Sequence, residues 1–293
     1  MSPMIACIAG EEISRQWDAG RIGGQKLGPR ETPFGPSGDI FLVNTAAQPF
    51  YMMSRHGGGM RKTAPCKVNY RANMYALKDL GVKGVLAWGS AGAITHNIGV
   101  GDVVVLSDII DRTCQRTNTF FEDSPLGFLR QFPVFCPSMR SLINTALASM
   151  NVPFHTAGTA AVCEGPRLET PAEVRMLAGA GAELVTHCFV PEVFLAKELQ
   201  LCYGAVCHVV NYAETGSRHR PFAAGELFAG LNSCSERERL AAGPLAMMDM
   251  IEAVASGVAA SPTSCDCDRT MEHNISTYGL SEDWRTWMPA SQG

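Results

Sequence analysis

The stretch TAAVCEGPRLETPAE, residues 159–173, carries the clearest structural signals in the chain. Residues 159–163 are a short apolar and β-branched run, which predicts a buried strand. Thr170 stands three residues before Glu173, the spacing of a capping box that begins a helix. Glu169 therefore lies between a strand end and a helix N-terminus, where open α/β sheets bind ligands. A carboxylate that only complements the helix dipole is the alternative interpretation.

Composition indicates a globular protein with a large core and excludes several function classes. The chain has 293 residues, of which 46% are hydrophobic and 18% are charged. A net charge of −4 without a Lys/Arg run argues against nucleic acid or an anionic membrane as partner. No stretch approaches the ~18 apolar residues of a membrane span. The apolar run at 4–9 is too short for a signal peptide, so we expect a cytoplasmic location.

The order of apolar runs and amphipathic segments predicts one α/β domain with a mixed, mostly parallel central sheet flanked by helices. This catalytic domain is expected to span 1–260, followed by a cysteine-containing tail at 261–293. Residues 18–38 are expected to be loop, and Gly89-Ser90-Ala91-Gly92 a small-residue turn. Predicted strands are 4–9, 39–43, 50–53, 85–88, 102–108, 159–163, 184–187 and 203–210, and predicted helices are 68–80, 139–147, 191–199 and 240–257.

Eleven cysteines are many for such a chain, but most stand singly inside apolar runs. A buried cysteine in that setting behaves as a small core residue. No pair of CxxC motifs is present, so neither a structural zinc site nor any other metal is expected. Cys265 and Cys267 form a CxC near the C-terminus. A tail without function is the favoured interpretation, and a redox or disulfide element is the alternative.

Polar residues follow several predicted strands and are expected to surround one pocket. An Arg-His pair beside a glycine-rich turn suits an oxyanion, because it offers a bidentate fork and backbone N–H donors. His208 lies inside an apolar strand and is expected to be a hydrogen-bonded core residue. The residues expected at the pocket are Gly10, Glu11, Arg55, His56, Gly89, Ser90, Gly92, Glu169, His187 and Asn211.

Several motifs, in order along the chain, resemble the methylthioadenosine phosphorylase and purine nucleoside phosphorylase family. The family consists of single-domain α/β enzymes, usually trimers, that cleave a nucleoside with phosphate to give a free base and a sugar 1-phosphate. The resemblance implies phosphate as co-substrate and no cofactor. The motifs are Arg55-His56-Gly57, KVNYRAN at 67–73, Gly101-Asp102, EGPRLET at 164–170 and Val190-Pro191-Glu192.

The resemblance also implies roles for individual residues. Glu169 would accept the N1–H of a 6-oxopurine, Asn211 would bond O6 and N7, and His56 would act on phosphate. A carboxylate and a carboxamide match a lactam edge chemically, although a pyrimidine also has one. Phosphate would be bound by Arg55, His56, Gly10, Glu11, Gly89 and Ser90; base and sugar by Ala91, Gly92, Leu168, Glu169, His187, Cys188, Asn211 and Ala213; and a neighbouring subunit would be reached by an exposed aromatic pair, Phe120 and Phe121.

Three positions depart from the family pattern. Glu11 replaces a threonine that donates to phosphate, Cys188 replaces a second threonine, and His187 replaces a methionine beside the ribose. An ionised Glu11 within about 4 Å of phosphate would be repelled by several kcal/mol. Glu11 therefore turns away, is protonated, or serves as the base that activates water.

The function expected from these observations is phosphorolysis of a 6-oxopurine nucleoside, with a 5′ position that is modified in the manner of methylthioinosine or left unmodified. Three alternatives remain open at this point. One is a nucleosidase of the same fold that uses water activated by Glu11. The second is a phosphorylase for methylthioadenosine or for a pyrimidine nucleoside. The third is a nucleoside-binding protein without activity.

Overall fold

The computed structural model describes residues 4–45, 48–57, 63–150, 152–214, 233–260 and 265–288, without the side chains of residues 11, 12, 245, 259 and 260. Its strands are β1 (Ile5–Ala9), β2 (Gly24–Gly28), β3 (Glu31–Thr32), β4 (Gly35–Pro36), β5 (Ile40–Val43), β6 (Phe50–Ser54), β7 (Gly84–Ala93), β8 (Val103–Val105), β9 (Asp108–Arg112), β10 (Phe154–His155), β11 (Thr159–Cys163), β12 (Leu184–Thr186) and β13 (Cys202–Tyr212). Its α-helices are α1 (Glu11–Asp18), α2 (Tyr70–Asp79), α3 (Pro137–Ala148), α4 (Pro171–Gly179), α5 (Glu192–Glu198), α6 (Cys234–Ala260) and α7 (Glu272–Tyr278).

Eleven of these strands form one mixed sheet in the order β10-β8-β13-β7-β1-β6-β5-β2, and β12, β11 and β9 continue from β7 as a branch. The central pairs β13–β7, β7–β1 and β1–β6 are all parallel. Parallel strands of this kind are covered on both faces and read as continuous apolar runs, as β1 does with five buried residues. The predicted fold class is confirmed.

Three predicted elements differ in the structure. Gly89–Gly92 are not a turn but continue β7, because β13 pairs with all four residues on one side and β12 pairs with Gly92 on the other. The run predicted as one strand at 102–108 is divided into β8 and the start of β9. The predicted loop at 18–38 contains β2, which pairs with β5 at the sheet edge through its backbone and is largely exposed. An exposed edge strand has no apolar pattern by which sequence could reveal it.

The turn between β11 and α4 forms as its sequence predicts. The Thr170 hydroxyl accepts from the Glu173 amide at 3.3 Å, and the Glu173 carboxylate accepts from the Thr170 amide at 2.7 Å, which completes the capping box. Gly165 has a φ of 63°, a left-handed conformation that favours glycine. The capping box and Gly165 together fix the direction in which the chain leaves β11.

The C-terminal segment, residues 265–288, packs against the core. Met271 and Trp287 are buried in it, and the Asn274 amide donates to the Leu126 carbonyl at 2.7 Å. The Trp284 ring contacts the ring of Tyr75 on α2, with centroids 4.9 Å apart. The division of the chain at residue 260 stays a prediction. Among the described residues, no helix combines the length and the apolar character that crossing a bilayer requires.

Two buried side chains, His208 on β13 and Glu198 on α5, give stability opposite dependences on pH. Burial lowers the pKa of His208 from 6.5 to about 4. Its Nε2 has no hydrogen-bond partner among the described residues, so the expectation of a hydrogen-bonded core histidine is wrong at that atom. Burial raises the pKa of Glu198 from 4.5 to about 7, although the carboxylate accepts from the Thr119 hydroxyl and the Phe120 amide.

The His208 contribution to stability is present above pH 6.5 and is lost as the pH falls through about 4, since the unfolded chain then binds more protons. The Glu198 contribution is present below pH 4.5 and is lost as the pH rises through about 7, since the folded chain then binds more protons. The pH ranges overlap, so the two effects oppose each other in the wild-type protein.

We expect single variants to reveal the hidden pH dependence. We compare the unfolding free energy of each variant with that of wild type as the pH rises from 4.5 to 7. The difference should fall by about 3 kcal/mol for His208→Leu and should rise by about as much for Glu198→Gln. Urea unfolding at several pH values measures both slopes. Profiles that stay parallel to that of the wild type would contradict the prediction.

Candidate active site

A cavity of about 220 Å³ opens beside the C-terminal halves of β7 and β13 and the end of β12. It brings together most residues that the sequence assigned to base and sugar, together with His56 and Ser90. A larger cavity of about 740 Å³ lies beside the C-terminal segment and includes none of them. The smaller cavity is lined by His56, Pro65, Ser90, Ala91, Gly92, Leu168, Glu169, Val185, Thr186, His187, Cys188, Val210, Asn211 and Glu214.

Glu169 and His187 form a polar pair on one wall of this cavity. The Glu169 side chain is buried, and its Oε1 lies 3.1 Å from Nε2 of His187. An ionised carboxylate only accepts, so the imidazole carries a proton at Nε2. The His187 ring also packs on Gly165, where an added Cβ would lie 2.9 Å from Nδ1. A side chain at position 165 would therefore displace the ring that holds Glu169.

Cys163 has a hydrogen bond to the same carboxylate. Burial, followed by the charge of Glu169, raises the pKa of the Cys163 thiol to about 12, so the sulfur remains protonated and donates. Glu169 is thus held from two sides, by an imidazole and by a thiol. Its carboxylate still borders the cavity and can accept a further hydrogen bond from a ligand N–H.

Arg116 organises the loops around this pair, and sequence reasoning missed it. Its guanidinium is buried and donates to backbone carbonyls of the β11–α4 loop and of the segment after β12. No motif marks it, because a buried arginine that binds carbonyls has no sequence signature of its own. The acceptors are the carbonyl oxygens of Cys163, Glu164, His187 and Val190, the Glu164 carboxylate and the Tyr70 hydroxyl.

Asn211 reaches the cavity because β13 is irregular at that point. The register between β13 and β7 shifts between Val209 and Asn211, which places Asn211 opposite Gly92. An added Cβ on Gly92 would lie 3.1 Å from Oδ1 of Asn211, so only a glycine leaves the amide its full space. A β-bulge commonly redirects a side chain next to an active site.

The small residues Gly89-Ser90-Ala91-Gly92, which were predicted as a turn, lie on β7 beside the cavity, where neighbouring side chains pack closely against the two glycines. A Cβ on Gly89 would come within 3.0 Å of the Cys188 sulfur and within 2.7 Å of the Phe189 ring. Ser90 points outward from the strand, and its carbonyl accepts from the Thr186 hydroxyl at 2.7 Å. Gly89 therefore serves close packing, and Cys188 is part of the cavity lining as expected.

His56 lies in the cavity wall as a neutral imidazole. Its Nδ1 is 2.9 Å from the Thr63 carbonyl, which only accepts, so the proton is on Nδ1. Burial, and then the nearby charge of Arg55, lower the pKa of His56. Nε2 is therefore free of a proton near pH 7. In that state it can accept a hydrogen bond from the O–H of a hydrogen phosphate ion.

Arg55 lies behind the cavity instead of lining it. Its side chain is buried, with Nε 2.5 Å from Oε1 of Glu192 and Nη2 3.1 Å from Oε2. Nη1 donates to the Trp88 carbonyl at 3.0 Å, and the Tyr203 hydroxyl donates to Glu192 at 2.7 Å. Burial alone would lower the pKa of Arg55, but the Glu192 carboxylate raises it well above the usual value. A direct contact with phosphate would require Arg55 to leave these partners.

Sequence comparison identifies the family. Residues 20–233 match the Phosphorylase superfamily. The chain belongs to this family. It is 36% identical over 211 residues, 72% of each chain, to a probable S-methyl-5′-thioinosine phosphorylase from Methanothermobacter thermautotrophicus. It is 40% identical over 186 residues, 62% of this chain and 70% of the other, to a probable 6-oxopurine nucleoside phosphorylase from Moorella thermoacetica.

Solved structures show the same fold for this phosphorylase superfamily member. A methylthioadenosine phosphorylase from an antarctic soil metagenomic library superposes with a TM-score of 0.79 over 97% of both chains, at 22% identity. An adenosine/methylthioadenosine phosphorylase from Schistosoma mansoni, a double mutant in complex with adenine, gives 0.75 over 96% of this chain and 99% of the other, at 24% identity.

Other predicted site residues of this superfamily member lie outside the cavity. Phe120 and Phe121 were expected to be exposed, and this is wrong: both rings are buried in their own chain, because Phe120 packs on Phe34 with centroids 5.2 Å apart. Ala213 is buried behind the wall, where its amide donates to the Ala93 carbonyl. Gly10 precedes α1 and does not belong to the cavity lining.

Glu11 begins α1, but its side chain lies outside the described residues. The expectations that depend on its carboxylate therefore stay predictions. They are repulsion of phosphate and, in the alternative interpretation, activation of water. The contrast with a hydroxyl-bearing residue can be tested with Glu11→Thr, because that change removes a charge and adds a donor.

Proposed function

We propose that the protein is a nucleoside phosphorylase that cleaves the N-glycosidic bond of a 6-oxopurine nucleoside with phosphate. The observation that carries this proposal is the joint presence of Glu169, Asn211 and His56 on one cavity. The carboxylate matches the N1–H of a 6-oxopurine, and the carboxamide NH₂ matches O6 and N7. The names of the relatives from M. thermautotrophicus and M. thermoacetica agree with this choice of base.

In the proposed reaction, a phosphate oxygen forms a bond to C1′ while the bond from C1′ to N9 breaks and leaves its electron pair on the base. Asn211 donates to the base as this negative charge develops, and a group that binds the charged state more strongly than the ground state lowers the barrier. Glu169 fixes the orientation of the base through N1–H. A proton from solvent then neutralises the free base.

Phosphate would be bound from the His56 side of the cavity. Neutral His56 accepts the O–H of hydrogen phosphate, which orients the remaining oxygens toward C1′. The buried Arg55 does not supply a direct contact in the described conformation. Its role in the proposal is to position His56, its neighbour in the chain.

Phosphate dependence of base release tests the proposed function. With inosine or methylthioinosine, release should require phosphate and yield a sugar 1-phosphate, while methylthioadenosine and uridine should be poorer substrates. Equal rates with and without phosphate would indicate a nucleosidase. In that case Glu11→Thr should reduce the rate by roughly 100-fold or more, the usual effect of removing a general base. If none of the four nucleosides releases its base, both the phosphorylase and the nucleosidase hypotheses are wrong.

We also propose that the protein works as a homotrimer in the cytoplasm. An aromatic patch formed by Phe128 and Phe132 supports assembly, because their side chains are 85% and 92% exposed. Exposed apolar patches of this kind mark interaction surfaces. The patch takes the place of Phe120 and Phe121, which are buried.

Changing the aromatic patch should dissociate the assembly. Wild type is expected to sediment as a trimer at micromolar concentration, and the double variant Phe128→Ser with Phe132→Ser as a smaller species. Tyr278→Ser is the matched control, since Tyr278 is 50% exposed on α7, outside the patch. A wild-type monomer, or a variant that remains trimeric, would contradict this assignment.

A further inference from the structure

Four cysteines that are distant in sequence converge at one point beneath the C-terminal segment. Cys136 precedes α3, Cys202 begins β13, and Cys265 and Cys267 form the CxC motif. All four sulfur atoms lie within 4.8 Å of one another, and those of Cys202 and Cys265 are 3.4 Å apart. Spacing along the chain predicted no zinc site, because the CxC motif meets Cys136 and Cys202 only in the folded protein.

We propose that this four-cysteine cluster is a structural zinc site. Zinc prefers four thiolates in a tetrahedron with Zn–S distances of about 2.3 Å, which places the sulfurs about 3.8 Å apart. The observed limit of 4.8 Å is within reach of small side-chain rotations. Four soft thiolates favour zinc over magnesium or calcium, which prefer oxygen ligands.

The backbone holds half of the cluster in place. The Cys136 amide donates to the Tyr203 carbonyl at 2.9 Å, and the Cys202 amide donates to the Lys83 carbonyl at 3.0 Å. Both residues are buried in the core between α3 and β13. They form a rigid half-site, and the CxC motif brings the other two sulfurs against it from the C-terminal segment.

Charge around the cluster suits a metal tetrathiolate. Binding of Zn²⁺ to four neutral thiols releases four protons to solvent and leaves a net charge of −2 on the centre. Lys78 near Cys202 and Lys197 near Cys267 would attract this negative charge once the metal is bound. Asp266, which separates the two cysteines of the motif, has a side chain that is 90% exposed and pairs with Arg269.

The site would fasten the C-terminal segment to the sheet. This segment carries α7 and the buried residues Met271 and Trp287, and it follows residues 261–264 in the chain. A metal that joins it to α3 and β13 closes a long loop, which constrains the unfolded chain and ties metal binding to folding. The inference concerns stability and does not depend on the proposed reaction.

Metal content and spectroscopy test the site in the full-length protein. The protein, purified under reducing conditions, is stripped with a chelator and then titrated with Zn²⁺ or Co²⁺. We expect about one metal per chain, with the thiolate-to-cobalt charge-transfer bands and red d–d bands of a tetrahedral sulfur site. The variants Cys265→Ser and Cys267→Ser, each with three thiolates left, should show weaker and shifted bands and should bind the metal at least about 10-fold more weakly. Cys234→Ser, which removes an exposed cysteine outside the cluster, should retain both.

A thiol count separates this proposal from disulfide formation. Protein unfolded in chelator without reductant should show all eleven cysteines as free thiols. A wild-type count that is lower by two or four would indicate disulfides. If the double variant Cys265→Ser with Cys267→Ser then shows all of its remaining cysteines as free thiols, the disulfides lie in the cluster, and the zinc site is overturned. Failure of reduced wild type to bind either metal, or metal content unchanged in the cluster variants, would overturn it as well.

Discussion

Replacing Glu192 by alanine should lower the free energy of unfolding by about 3–5 kcal/mol. The change leaves the guanidinium of Arg55 buried without its carboxylate and removes the acceptor of the Tyr203 hydroxyl. A buried charge that loses its partner is costly, because desolvation is no longer compensated. Urea unfolding of the variant and of wild type measures the difference.

A matched control uses an exposed ion pair. Glu122 pairs with Arg71 at 2.7 Å, and its side chain is 52% exposed, so Glu122→Ala should change stability by less than about 1 kcal/mol. The double variant Arg55→Met with Glu192→Leu should recover most of the lost stability, since an apolar pair leaves no unpaired charge. Equal losses in Glu192→Ala and Glu122→Ala would show that the buried pair contributes no more than a surface pair.

Replacing Glu169 by alanine should lower kcat/KM for a 6-oxopurine nucleoside roughly 30- to 1000-fold, which corresponds to a loss of about 2–4 kcal/mol of transition-state stabilisation. The reason is the loss of a charged acceptor that borders the cavity and is itself buried. Asn211→Asp should shift selectivity toward 6-amino nucleosides, because a protonated acid can donate to N7. The ratio of kcat/KM for inosine to that for adenosine is the quantity to measure.

Selectivity distinguishes readout of the base from general damage. Damage to the fold lowers both values of kcat/KM together, whereas the loss of a contact to the base changes their ratio. Glu173→Gln is a suitable control, because Glu173 is in the same loop–helix segment but pairs with Arg167 outside the cavity lining. Wild-type ratios in both Glu169→Ala and Asn211→Asp would show that neither residue contacts the base.

The fold was predictable where the signal is local. Thr170 and Glu173 form the expected capping box because its chemistry needs only four consecutive residues. The turn predicted at Gly89 was wrong, because glycine suits both a turn and a closely packed strand. Only the pairing with a neighbouring strand distinguishes the two structures. The sequence did not predict β2, because this strand pairs through backbone atoms and buries no apolar face.

Residues of the site were predictable individually, but their directions were not. Arg55 and His56 are adjacent, and both were expected to bind phosphate. The Arg55 amide continues the pairing of β6 with β1 by donating to the Ala9 carbonyl at 2.8 Å. Both residues lie in the turn after β6, where the Gly57 amide donates to the Ser54 carbonyl at 3.3 Å, and this turn leaves Arg55 in the core and His56 at the cavity. The burial of Phe120 likewise depends on residues far away in the sequence.

The continuation of β7 through Gly89–Gly92 has a consequence for ligand affinity. This wall of the cavity is paired with β13 along its whole length, and with β12 at Gly92, so its backbone is already ordered before a nucleoside arrives. Ordering a loop on binding would subtract from the affinity, and a preorganised strand avoids that loss. The entropy lost at this wall on binding is therefore that of the ligand and of the few side chains that turn toward it.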